Sequence, residues 1–240
     1  MTTKLNLVAK TITLTSIILS TQNIYAQVDA TICGDLSGVQ WDYRTATQKQ
    51  HIEVEGAHFP PIVENLIRGN RGYLGGDLAY TLRASPNHHR ALASLMNWSD
   101  RLKLYILPNM PLPVECYFER GIRYKADDHV VRMLYAQFLA GKNRIIEVEK
   151  QLEQVASMAG DNAFTLYNIG LLYSDIKNYE KALQFAHQAL ALGFSKPELR
   201  QRLENAGQWK EPSVAEDKTK EKQLLDSVDT ATNYSNTEKR

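Results

Sequence analysis

The clearest alternation of apolar and polar positions runs over residues 163–192, AFTLYNIGLLYSDIKNYEKALQFAHQALAL. Leu166, Ile169, Gly170 and Tyr173 recur at helical spacing, as do Tyr179, Ala182, Ala186 and Ala189. Side chains three and four residues apart share one helix face, so each set predicts an amphipathic helix. Lys177 and Asn178 supply a short turn between them, which predicts an antiparallel pair. Gly170 and the three alanines are small. They let two helix backbones approach while larger neighbours fill the sides.

Shifting the frame by 34 residues repeats the pattern. Ala182, Ala186 and Ala189 map back onto Val148, Leu152 and Val155, and again onto Val114, Phe118 and Gly121. Ile169, Gly170 and Tyr173 map onto Tyr135, Ala136 and Leu139, then onto Arg101, Leu102 and Tyr105, where Arg101 breaks the pattern. Residues 133–158 thus form a second unit, and residues 87–125 a third, whose turn is replaced by the proline-rich run 107–113. Upstream, Pro60 and Pro61 open a helix with Ile62, Val63, Leu66 and Ile67 on one side and Gly69 as its stop. A second helix over 73–84 carries Leu74, Leu78 and Leu82. Pro197 starts a last helix, with Leu199 and Leu203 inward, Gly207 at its end and Trp209 folding back.

This period and its small-residue placement resemble the tetratricopeptide repeat (TPR). The resemblance covers residues 87–207. It implies an all-α fold, a short α-solenoid of helix hairpins with a concave groove. By resemblance the groove is lined by Val130, Met133, Gln137 and Ala140 from one unit, and by Phe164, Tyr167, Asn168, Leu171 and Asp175 from the next. It is a surface for a protein or peptide. The organisation expected is a signal segment (1–26), an extended N-terminal arm (27–59) carrying Trp41 and Tyr43 as buried anchors, a TPR-like domain (60–210) and a disordered tail (211–240). Thr45 to Glu55, within the arm, reads equally as a short helix or a strand.

Residues 1–26 read as a secretory signal peptide. Lys4 and Lys10 give a positive start, no acid precedes Asp29, and a hydroxyl-studded apolar run leads to cleavage after Ala26. The segment is too short and polar for a spanning helix. The expected location is therefore periplasmic or secreted. In an oxidising compartment the two cysteines are expected to pair as Cys33–Cys116. The tail carries five basic and seven acidic residues with few apolar anchors.

The net charge is +1, which argues against a nucleic-acid or anionic-membrane surface. His51, His58, His88, His89, His129 and His187 fall in no metal-ligand spacing, and Glu115 and Glu119 share a helix face with no histidine beside them. No metal or other cofactor is expected. The glycine-rich run 69–76 lacks the Lys-Ser/Thr of a phosphate loop. Arg83, His88, His89 and Arg90 form a basic corner at a helix start, an anion-binding candidate. The reading is an exported, non-enzymatic scaffold for a peptide or envelope protein. The alternatives are a periplasmic hydrolase using the His88–Arg90 corner with Glu64 or Asp77, and a membrane-tethered subunit of a surface-assembly complex.

Overall fold

The computed structural model describes residues 32–38 and 40–212; the expected signal segment 1–26 and all but the first two residues of the expected tail 211–240 lie outside them. Among the described residues there are ten helices and no strand: α1 (Gln48–His58), α2 (Pro61–Glu64), α3 (Leu74–Ala84), α4 (His89–Leu102), α5 (Val114–Tyr124), α6 (His129–Gly141), α7 (Ile145–Ala159), α8 (Ala163–Asp175), α9 (Tyr179–Ala191) and α10 (Pro197–Asn205).

Helices α4, α6 and α8 begin and end alike. Their N-caps are His88, Asp128 and Asn162, and each side chain accepts a backbone N–H of the first turn. That bond satisfies a donor no helix can pair internally. Each helix is followed by a left-handed residue: Lys103, Asn143 and Lys177. The next residue's N–H then bonds back to Ser99, Leu139 or Tyr173. This closes the helix as a Schellman turn does. Glycine is usual at such a position, so the chain accepts some strain three times to end these helices at one point.

The caps also fix the repeat. Asp128 and Asn162 stand 34 residues apart, as the sequence pattern predicts, but His88 and Asp128 stand 40 apart. The unit 87–125 is therefore misaligned by a fixed 34-residue step on its first helix. The counterparts of Tyr135, Ala136 and Leu139 are Leu95, Met96 and Ser99, all buried. Leu102 and Tyr105 are exposed. The proline-rich connection after α4 supplies the extra length, because prolines there cannot enter a helix. On the second helices the 34-residue step holds: Val114, Phe118 and Gly121 on α5, and Val148, Leu152 and Val155 on α7, are buried.

One open reading closes and one expectation changes. The stretch 45–55, left between helix and strand, is helical from Gln48. This helix, α1, is started by a capping box in which Thr47 and Gln50 satisfy each other's backbone N–H. The helix opened by Pro61 is a single turn, because Leu66 turns left-handed (φ 59°) and sends Ile67 to solvent.

Helices α6/α7 and α8/α9 pack as hairpins, α4, α6 and α8 pack neighbour to neighbour, and α10 covers α8 and α9. Gly170 is needed here for a reason its own hairpin does not reveal. A Cβ on it would lie 2.5 Å from Leu199 Cδ2 of α10, while the α9 backbone at Ala182 O is 3.3 Å away. The notch receives the last helix. Gly75 is tighter, because a Cβ there would sit 2.1 Å from Pro108 O and 3.0 Å from the Asn109 carbonyl carbon, both backbone. Neighbouring Gly76 has nothing within 4 Å. Gly75→Ala is expected to cost about 2 kcal/mol through overpacking, whereas Gly76→Ala is expected to stabilise by roughly 0.5–1 kcal/mol through helix propensity. Urea midpoints of the two variants check this, and equal shifts would contradict the close loop contact.

The arm docks across the first helices. Trp41 is buried and donates its N–H to Ala84 O (3.1 Å), and Tyr43 N–H donates to Asn87 Oδ1 (3.0 Å). Cys33 and Cys116, both fully buried, form a disulfide. Arg120 donates to the carbonyls of Cys33 (3.1 Å) and Asp35 (2.8 Å).

Candidate functional site

The residues expected to line a groove divide into three groups. Gln137 and Phe164 are exposed, Val130, Met133 and Leu171 are half-buried, and Gln137 makes no side-chain hydrogen bond among the described residues. Asn168 is half-buried and donates to Phe164 O within its own helix (2.8 Å), and Asp175 pairs with Arg202 of α10 at 2.5 Å. Tyr167 is a correction. It is 4% exposed, its ring packs 5.0 Å from that of Phe194, and its hydroxyl accepts the Leu199 N–H at 3.2 Å. Leu199 is the third residue of α10, whose first-turn donors have no partner within the helix. Tyr167 thus holds the last helix in place. Helical spacing places it beside the exposed Phe164 and Asn168. Its burial comes from an element more than 20 residues away.

The basic corner is also corrected. The structure brings His88, His89 and Arg90 together at the start of α4, but each meets a carboxylate. His88 Nε2 lies 3.2 Å from Glu55 Oε1, and His89 Nε2 lies 2.8 Å from Asp128 Oδ2. Arg90 pairs with Glu55 (2.9 Å) and with Glu64. All three side chains are engaged by these acids, which argues against an anion site at the start of α4. His88 Nδ1 accepts the Ala91 N–H (3.2 Å), so the ring proton sits on Nε2 and points at Glu55. Burial pushes the His88 pKa down to about 4, against the pull of Glu55. The imidazole is neutral at pH 7. Burial would raise Glu55, but the hydrogen bond from His51 (2.7 Å) and the Arg90 guanidinium hold it below the usual carboxylate range. Trp41, Tyr43 and Phe59 close around the His88 ring. Asp77, the other acid of the hydrolase alternative, takes the N–H groups of Asn70 (2.6 Å) and Arg71 (3.0 Å) and a ring nitrogen of His58 (2.7 Å). Both proposed acids therefore serve the fold. The i, i+4 pair His51 and Glu55 on α1 was the available signal for this network.

Arg83 stands apart from the corner. Its guanidinium lies over the Tyr80 ring at 4.9 Å, and Tyr80 stacks on His58. Arg83 edges a cavity of about 410 Å³ between α3 and α5, roofed by Cys33 and Gly34 of the arm. Ala79 and Leu112 are among its apolar walls, and Tyr80, Tyr117 and Arg120 among its polar ones. Sequence reasoning does not single out these last two, because they look like ordinary positions on an amphipathic helix. Elsewhere on α5, Glu115 accepts from Tyr135 (3.1 Å) and Arg144.

Among the described residues no group of three or more His, Cys, Asp or Glu is placed to hold a metal ion, and no helix is long and apolar enough to cross a membrane. No family model, curated protein or solved structure matches the chain.

Proposed function

We propose that this chain is an exported interaction protein, a short TPR-like α-solenoid that holds a peptide or envelope-protein partner along α4, α6 and α8 and acts as a scaffold in the periplasm or outside the cell. The observation that carries this reading is a row of equivalent open positions. Asn97 and Gln137, one 40-residue step apart, are both exposed. Val130 and Phe164, and likewise Gln137 and Leu171, are 34-residue counterparts, each exposed or half-buried. Helices stacked in this way form a continuous surface along which an extended chain lies, with amides to read its backbone and apolar side chains to take its residues. At the exit of α4, Leu104, Tyr105 and Ile106 are all exposed. Successive large apolar side chains left in water mark a contact surface. The disulfide is compatible with an oxidising compartment.

The test is crosslinked capture from the exported fraction with wild type and with Gln137→Ala/Phe164→Ala. Both side chains are exposed, so the fold is expected to survive. Capture is expected to fall about tenfold, the size of a moderate hot-spot loss. Equal capture by both proteins would refute the groove. Tyr167→Ala is unsuitable for this purpose because it releases α10. An exported protein beginning at Gln27 is expected on N-terminal sequencing, and recovery of intact residues 1–26 in membranes would favour the tethered alternative.

A further inference from the structure

We propose that the cavity between α3 and α5 binds a carboxylate carried on a compact apolar body, held by Arg83, Arg120 and the Tyr117 hydroxyl. No residue of α4, α6 or α8 is among those named as its lining, so the site is independent of the groove.

The argument begins with a charge out of place. Two arginines are more than nine-tenths buried, Arg120 and Arg144. Arg144 pairs with Glu115 and Glu147. Arg120 has no carboxylate within ion-pair distance among the described residues, and its hydrogen bonds there run from one nitrogen to arm carbonyls. Asp35 is its nearest acidic influence and is exposed. Arg123, one turn along α5, adds a second positive charge and donates to Gly34 O (2.7 Å). Arg83, exposed at the opposite edge, adds a third positive charge without a carboxylate partner among the described residues. A buried cation is normally paired, as Arg144 is.

The second observation is independent. The Tyr117 side chain is 4% exposed and lines the cavity, and its buried hydroxyl lies beside the Leu112 backbone without completing a hydrogen bond among the described residues. Such a group carries a standing desolvation cost that a ligand oxygen removes. Burial pushes this phenol up to about 12, so it stays a donor at neutral pH.

The walls state the rest of the ligand. Ala79 and Leu112 offer no polar atom from their side chains, and about 410 Å³ falls within the range of small-ligand pockets. Donors gathered from two guanidinium groups and one phenol suit the two oxygens of a carboxylate. The same chemistry is offered by a free organic acid and by the C-terminus of a peptide ending in an apolar residue.

Titration calorimetry on the oxidised full chain, with 4-phenylbutyrate, the peptide acetyl-Ala-Ala-Leu as free acid and as amide, and inorganic phosphate, decides the matter. Saturable one-to-one binding of at least one acid is expected, with the amide weaker by about tenfold or more, the worth of a charge-assisted hydrogen bond. Arg83→Gln is expected to weaken binding about tenfold for the same reason. Tyr117→Phe has no established bond to lose, so it is expected to keep or raise the urea midpoint while weakening the acid several-fold. Binding of the phenyl acid alone identifies a small molecule, and binding of the peptide acid identifies a C-terminus; either supports the site. No saturable binding of either acid, equal affinity in both variants, or phosphate competing as well as the acids would overturn it.

Discussion

Replacing Cys33 and Cys116 together with serine is expected to lower the unfolding free energy by about 4 kcal/mol, on the chain-entropy account of a loop this long. The two cysteines lie 83 residues apart in sequence. The bridge therefore ties the arm to α5 across α1 to α4, and without it the unfolded chain regains the freedom of that whole loop. The folded state loses little directly, because Trp41, Tyr43 and Arg120 still hold the arm by their own hydrogen bonds. The expected shift in melting temperature is on the order of 10 °C for a chain of this size. The urea midpoint of oxidised wild type, reduced wild type and the double variant is the measurement, with alkylation mass spectrometry to show that both thiols appear only on reduction. Identical midpoints, or two alkylatable thiols in the unreduced native protein, would defeat the prediction.

The second large effect is one of pH. His88 is fully buried, and its pKa of about 4 in the fold lies below the ordinary 6.5. The sign follows from proton uptake. Between these values the unfolded chain binds a proton that the folded chain refuses, so stability falls as pH falls. It is intact above 6.5, and the loss approaches about 3 kcal/mol near pH 4. Glu55, which faces His88, and Asp128, which faces His89, are held below their ordinary values. Their own contribution is present above the carboxylate range and lost only at lower pH. Across the interval from pH 7 to pH 5, above those two lowered carboxylates, His88 is expected to cost wild type about 2 kcal/mol. His88→Asn keeps a good N-cap for α4 and removes the titrating group, so most of that slope is expected to vanish. Urea unfolding at both pH values compares the two, and equal slopes would exclude His88 as the source.

Much of the helical layout is legible in the residues alone. The 3.6-residue period marks α3 to α10, and the small residues on α8 and α9 mark the closest helix pair. Residues such as Asp128 and Asn162 announce helix starts because capping is local chemistry. Two cysteines allow one internal pairing, and export predicts that it forms. Of the positions expected to line a groove, Gln137 and Phe164 are exposed and Val130 half-buried, because an outward stripe is simply the complement of an inward one.

What only packing decided is which helix face meets something further along the chain. Tyr167 resembles its neighbours until α10 arrives and takes its hydroxyl. Gly170 looks like a hairpin contact and turns out to be the seat of Leu199. The 40-residue first step depends on a proline-rich detour whose length no fixed period contains. The basic corner looked free because Glu55, Glu64 and Asp128 are distant in sequence from the cations they neutralise. Arg120 looked ordinary because a cation without a counter-charge is recognised only when its whole surroundings are in place. Helix formation is governed by neighbours within a turn or two, whereas burial and charge balance are sums over everything nearby in space.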